Sequence, residues 1–412
     1  MGTFLQIIKK YKYLIIILIS FFIVELSWII ISPIHFPYST PDSVVRFGNI
    51  QNYAKGIHTP VVGEPAPLYY TIMGNIDKPF LNTRIYSQFR LLEIIEVLFT
   101  FITLIFTYKI FKLLFNNEEK IAITGTVLTA LFPMFTYMGM AIDMDALLFA
   151  MYTAFVYYSL KLLKKGFNLR DLILLTVFLI LGLLTKQNMY LNIPIYIVLV
   201  FYLLYKNGLL KKYLKYFILA LILIVLAIFT LHSGLNNTVI ARLKELIPVN
   251  NYSLFDYYAY STYGKYFSAY HGVVFPTFFD YFGYVALYIN PTTIYYVLKI
   301  FVYIILAGLI ITIFNKIKTK TMKDYHIYII AQVILTFLFL YLLDYGVVSH
   351  YGSNIVEGRY YFPVISIITL GSLVGIRTFI SQKYHDQLYL FLIICMIFFN
   401  MFTLTFLTNF RI

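Results

Sequence analysis

Residues 13–31 read YLIIILISFFIVELSWIII, nineteen residues with a single charge, Glu25. Coiled as an α-helix the run is about 28 Å long, close to the thickness of a bilayer's hydrocarbon layer. Working outward from it, about eleven such runs recur along the chain: 13–31, 91–111, 121–140, 146–163, 169–185, 189–205, 213–231, 295–314, 325–343, 361–379 and 388–407. The 412 residues are 61% hydrophobic and only 12% charged, which excludes a soluble globular domain. The expected fold is an all-α polytopic membrane protein, with residues 1–412 forming one integral membrane domain.

The basic residues orient the bundle. Lys9, Lys10 and Lys12 precede the first run, and every second connection after it is basic. These connections carry Lys109, Lys112 and Lys120; Lys161, Lys164, Lys165 and Arg170; Lys206, Lys211, Lys212 and Lys215; Lys316, Lys318, Lys320 and Lys323; and Arg377 and Lys383. In all, 20 of the 32 basic residues fall there. By the positive-inside rule the N-terminus is cytoplasmic and the chain is a multi-pass integral membrane protein. The net charge of +14 is therefore a membrane-orientation signal and not a nucleic-acid surface. The first run lacks a small-residue cleavage site and reads as a retained span. Cys395, the single cysteine, lies in the last run, so a disulfide or thiolate metal site is not expected.

Two long connections remain, 32–90 and 232–291, each roughly sixty residues and both on the extracytoplasmic side. Loops of that length usually carry function, which puts the chemistry on the outer face. The acids agree: Glu118, Glu119, Asp171, Asp324 and Asp386 face inward, and the other 13 of 18 lie outside or in the outer part of a span. Desolvating a carboxylate is costly, so acids at a membrane boundary tend to face a water-filled cavity. In PDSVVRFGNIQNYAKG (41–56), Val44, Phe47, Ile50 and Ala54 recur at helical spacing and predict an amphipathic helix on the membrane surface, with Asp42 near its N-terminus. The Pro-rich turn GEPAPLYY (63–70) presents Glu64 and returns the chain to the bilayer.

The ordered motifs resemble those of the polytopic GT-C glycosyltransferases, which include the protein O-mannosyltransferases and the aminoarabinose transferase of lipid A. The pieces are TPDSVVRF (40–47), EPAPLYY (64–70), AIDMDALLF (141–149), TKQNMYLNIP (185–194), FFDYFGYVALYINP (278–291) and EGRYYFP (357–363). The family often shows an Asp-Glu pair in the first motif, whereas here Ser43 follows Asp42. The resemblance implies an inverting transfer of a sugar from a polyprenyl-phosphate donor to an acceptor hydroxyl on a glycan, lipid or protein. A polyprenyl-linked saccharide flippase and a polysaccharide polymerase or ligase are the alternatives. A transporter more often places its charge at the midplane on interrupted helices.

Such a transfer needs a base and cations for the departing phosphate. Asp42 is the candidate base, with a helix cap as its other reading. Arg359 and Lys186 are the candidate phosphate contacts. For Arg359 the other readings are a salt bridge to Glu357 or an interfacial anchor, and for Lys186 a snorkelling side chain. Asp143 and Asp145 either bind a divalent cation, orient the acceptor, hold Lys186 or cap the fourth span. Glu64 joins an acceptor or metal site with Asp42 or is an exposed loop charge. His271 and His350 lack a second ligand at metal spacing and read as hydrogen-bonding residues. Glu25 and Lys299 lie within spans as a possible ion pair, and Asn236 and Asn251 open glycosylation triplets.

Overall fold

The computed structural model describes residues 2–31, 41–57, 66–232, 292–351 and 358–409. Among them the apolar runs fall on helical segments, although the run 121–140 divides into two helices and the runs 189–205 and 361–379 begin in 3-10 turns. The helices are α1 (Gly2–Ile31), α2 (Pro41–Ala54), α3 (Pro67–Asp77), α4 (Ile85–Leu114), α5 (Glu119–Ala130), α6 (Pro133–Met140), α7 (Asp145–Lys165) and α8 (Leu169–Leu183). They continue as α9 (Asn192–Lys206), α10 (Leu210–His232), α11 (Thr292–Lys318), α12 (Asp324–Tyr351), α13 (Ile365–Arg377) and α14 (His385–Asn409). Short 3-10 turns at Gln187–Leu191 and Gly358–Val364 lead into α9 and α13. The protein is thus all-helical over the described residues and polytopic in character. Seven helices are long and apolar enough to cross a bilayer alone, and the α5–α6 pair adds an eighth if it is one bent span. At 15 residues α8 is about 22 Å long, short of a full hydrocarbon layer.

The α5–α6 pair turns by 63° at residues 131–132. Pro133 opens α6, and the residue before a proline is driven out of the helical region; Phe132 is extended accordingly. The break leaves carbonyls without intrahelical donors, which an apolar environment does not tolerate. Asn400 of α14 answers it: its amide donates to the Leu131 carbonyl at 3.0 Å and to Thr136 Oγ1 at 2.8 Å. The bend delivers the chain into the turn at residues 141–144, which carries Asp143.

Charges separate to the two ends of the bundle. At one end Lys112 pairs with Glu119, Lys120 with Asp386 at 2.6 Å, Lys161 with Asp171 at 2.6 Å and Lys206 with Asp324 at 2.5 Å. Glu119, Asp171, Asp324 and Asp386 are among the acids read from sequence as facing inward. The opposite end holds the N-termini of α4 and α7 together with α2 and α3. Between the ends, packing relies on small residues where helices come closest: a Cβ on Gly308 of α11 would stand 2.0 Å from the Gly375 carbonyl of α13.

The helix expected at 41–56 is present as α2, with one difference in its buried face. Phe47, Ile50 and Ala54 are buried, but Val44 is 44% exposed, and Ser43, Arg46 and Asn49 are buried in its place. The inward stripe is therefore partly polar, because α2 packs on protein and not on lipid alone. Phe47 and Ile50 join Tyr69, Tyr70 and Met73 of α3, Phe89 and Leu92 of α4, and Ile142, Met144 and Leu147 in one apolar cluster. Gly74 permits the α2–α3 contact, since a Cβ there would meet Tyr53 Cβ at 2.8 Å.

Glu25 of α1 is fully buried beside Thr100 and Gly139, and neither carboxyl oxygen has a hydrogen-bond partner among the described residues. The side chain of Lys299 lies outside the described residues. Removing one member of a buried ion pair costs about 3–5 kcal/mol, whereas replacing an unpaired buried acid by its amide removes a desolvation cost. Glu25→Gln is accordingly expected to leave the Tm unchanged or to raise it, as thermal unfolding of the purified protein would record. A drop of 5 °C or more would instead assign Glu25 an ion pair with Lys299.

Candidate functional site

The site is assembled from five separate stretches that meet at one end of the bundle. The turn 141–144 supplies Asp143, and the first residue of α7 supplies Asp145. Asp143 Oδ1 accepts the Asp145 backbone N–H at 3.2 Å just ahead of α7, whose N-cap residue Met144 makes no side-chain cap, and both carboxylates stay buried. Lys186 sits at the end of α8 in extended backbone. Its ammonium donates to Asp145 Oδ1 at 2.6 Å, and both side chains are at most 3% exposed. Arg359, in the 3-10 turn before α13, brings Nη1 to 3.8 Å from Asp143 Oδ2. Tyr360 stands beside both cations, with its ring 5.1 Å from Lys186 Nζ and 5.7 Å from the Arg359 guanidinium carbon.

The α2–α3 pair closes over this cluster. The Leu68 backbone N–H at the start of α3 donates to the Leu184 carbonyl at 3.1 Å, docking the Pro-rich motif against the stretch that ends in Lys186. Arg46 of α2 is buried and donates to the Tyr70 hydroxyl at 3.3 Å, as does the Asn49 amide. The Tyr69 hydroxyl donates to Glu96 Oε1 of α4 at 2.5 Å. Burial pushes the Asp143 carboxyl up, but the nearby charges of Lys186, Arg46 and Arg359 together hold it below the usual carboxylate range.

Of the six residues singled out from sequence, Asp143, Asp145, Lys186 and Arg359 are brought together. Lys186 is a buried ion-pair partner and not a snorkelling side chain, and Asp145 takes the part of holding it. Arg359 contacts Asp143, and Glu357, the other partner read for it, lies outside the described residues. Asp42 is the second residue of α2, one turn (~6 Å of rise) before Arg46, and its side chain lies outside the described residues. Glu64 and His271 also lie outside what is described, as does the side chain of His350, a residue of α12. Sequence reasoning passed over Arg46, Tyr69, Tyr70 and Glu96. Arg46 was visible within TPDSVVRF, and Glu96 as a charge interrupting an apolar run.

A divalent cation finds no ready cage in the described residues, which contain no cluster of three or more His, Cys, Asp or Glu side chains suited to one. Asp143 and Asp145 face three cations, so their charge is already matched. What the cluster can do is receive an anion: two buried guanidinium groups and an ammonium act on Asp143, and a ligand oxyanion can exchange for a carboxylate on such cations.

Residues 83–232 match the family model described as dolichyl-phosphate-mannose-protein mannosyltransferase. The family that this model describes belongs to the GT-C superfamily. The matched stretch runs from the turn before α4 to the end of α10 and contains Glu96, Asp143, Asp145 and Lys186. Glycosyl transfer of the GT-C type is the general activity that this family implies. No curated protein sequence matches the chain.

Proposed function

We propose that this protein transfers a sugar from a polyprenyl-phosphate donor to an acceptor hydroxyl on the extracytoplasmic face of a prokaryotic plasma membrane, with inversion at the anomeric carbon. The observation that carries the reading is the convergence of Arg359, Asp143, Asp145 and Lys186 at one end of the bundle, inside and beside the matched stretch. Asp42 takes the acceptor proton as the hydroxyl oxygen attacks the anomeric carbon. The bond from that carbon to the phosphate oxygen breaks, and its electron pair stays with the phosphate. The leaving polyprenyl phosphate gains charge, which Arg359 stabilises. Lys186, already committed to Asp145, contributes field to the same pocket and fixes the start of α7. The apolar surfaces of the spanning helices give the carrier's lipid tail a place beside the site.

The test is transfer by the purified full-length protein from synthetic polyprenyl-phosphate sugars, mannose first, across glycan, lipid and peptide acceptors. The expected product carries the sugar with the anomeric configuration opposite to that of the donor. Absence of transfer from every donor, with movement of the intact lipid-linked sugar across proteoliposomes, would replace the enzyme by a flippase.

A further inference from the structure

Gln332 of α12 places an amide inside an apolar span and is only 1% exposed. Its Nε2 donates to the Tyr152 hydroxyl of α7 at 2.5 Å and to Asn192 Oδ1, at the start of α9, at 2.9 Å. The Asn192 amide in turn donates to Met189 Sδ at 3.3 Å, which leaves Oδ1 to face Gln332. Thr336 gives its own proton to the Gln332 carbonyl at 2.7 Å, so the Tyr152 hydroxyl, 3.4 Å away, donates to Thr336 Oγ1. Backbone bonds carry this network to the charged site. The Met189 N–H donates to the Lys186 carbonyl at 3.2 Å, and the Asn192 N–H donates to the Met189 carbonyl. Tyr152 lies about two turns (~10 Å of rise) along α7 from Asp145. A closed ring results, from Asp145 along α7 to Tyr152, across Gln332 to Asn192, and back through Lys186, whose ammonium meets Asp145 at 2.6 Å. The same helix reaches the Arg359 turn, because the Phe337 ring centroid of α12 is 4.5 Å from that of Tyr361.

We propose that Gln332 is a positioning residue: it ties the Lys186 segment to α7 at a second point and so sets the Lys186–Asp145 pair against the Arg359 turn. A single contact allows rotation about itself, and a second one removes that freedom. In an apolar interior no water competes for the polar atoms of the ring, so the tie persists. The kinetic part of this inference rests on the glycosyltransferase reading; the placement of the Lys186 segment does not. Methionine has the length of glutamine but donates nothing, so Gln332→Met opens the ring at both bonds and leaves Asn192 Oδ1 without its donor. Tyr152→Phe opens it at α7 and keeps the Gln332–Asn192 bond, so its effect is smaller.

The experiment uses the full chain in lipid nanodiscs with the exposed Cys395 replaced by alanine and one reporter cysteine. The reporter stands at the buried Thr185, beside Lys186, or at the buried Ala122 of α5 as a control for general loosening. With Gln332 in place both are protected from a small maleimide. In the Gln332→Met background the Thr185 reporter reacts about tenfold faster, as expected when buried polar groups lose their partners, while the Ala122 reporter is unchanged and Tyr152→Phe falls between. In parallel, kcat per folded protein falls about tenfold in Gln332→Met while the donor KM moves less than about threefold, because Arg359 keeps its contact with the phosphate. Acceleration of both reporters, or of neither, would make Gln332 a merely structural residue and overturn the proposal. Acceleration at Thr185 with unchanged kcat would overturn it as well. If Gln332→Met does not fold, Tyr152→Phe decides alone: unchanged Thr185 labelling overturns it. Acceleration at Thr185 alone, in a protein whose unsubstituted form transfers no sugar, would uphold the tie and remove the glycosyltransferase reading instead.

Discussion

Asp42→Asn is expected to abolish sugar transfer, lowering kcat about 10²–10⁴-fold, while the protein folds normally and binds donor as before. The amide has the shape of the carboxylate and lacks the basicity to take the acceptor proton. The substitution also separates the two readings of Asp42 cleanly. Asparagine caps a helix about as well as aspartate, so a capping role would leave both Tm and turnover intact. The architecture favours a chemical role for this stretch. Asp42 is the second residue of α2, and Arg46, one turn further on, is buried and acts on Asp143 electrostatically. The α2 N-terminal turn is thereby carried to the same end of the bundle as Arg359. Turnover and donor affinity measured on monodisperse protein would check this. Near-normal turnover would return Asp42 to capping and move the base to Asp143, Asp145 or Glu64, and of these Asp143 and Asp145 already face cations.

How much of this was legible in the chain follows from the range of the interactions involved. Helical runs report on themselves: an unbroken apolar segment needs only its own residues to satisfy its backbone in lipid, and the runs fall on helical segments, that at 121–140 divided between α5 and α6. The hydrogen bond from the Asp145 N–H to Asp143 Oδ1 was equally local, spanning two residues. The partners of the charged residues were not. Lys186 meets Asp145 across 41 residues, and Tyr69 meets Glu96 across 27. No periodicity records such pairs, so Lys186 read equally well as a snorkelling cation. Glu96 was passed over, although its buried carboxylate takes the Tyr69 hydroxyl. Val44 shows the same limit at helix scale: its spacing matched the apolar stripe, but the stripe turned toward a protein surface that selected Arg46 and Asn49. The bend at residues 131–132 was half legible, since Pro133 announced a break and only the fold supplied Asn400 to satisfy it.

Arg359→Lys should lower kcat/KM for the polyprenyl-phosphate donor by about 10²-fold although the charge is retained, consistent with about 2–4 kcal/mol for an oxyanion contact. The two buried cation–acid contacts of the site differ in kind. Lys186 and Asp145 are in direct hydrogen-bond contact at 2.6 Å, whereas Arg359 Nη1 stands 3.8 Å from Asp143 Oδ2, beyond direct hydrogen-bonding distance. Exchanging Asp143 for a phosphate oxygen therefore costs Arg359 less than exchanging Asp145 would cost Lys186. A planar guanidinium also donates two parallel N–H bonds to one phosphate while lying against the Tyr360 ring, and a compact ammonium does neither well. Lysine at this position keeps Asp143 company electrostatically, so the fold should survive and the loss should fall on donor binding and turnover together. Donor titration and steady-state kinetics on the same preparation would measure both. Near-normal values would mean that the position needs only a positive charge, reducing Arg359 to the counter-ion of Asp143 and leaving Lys186 and Arg46 as the phosphate contacts.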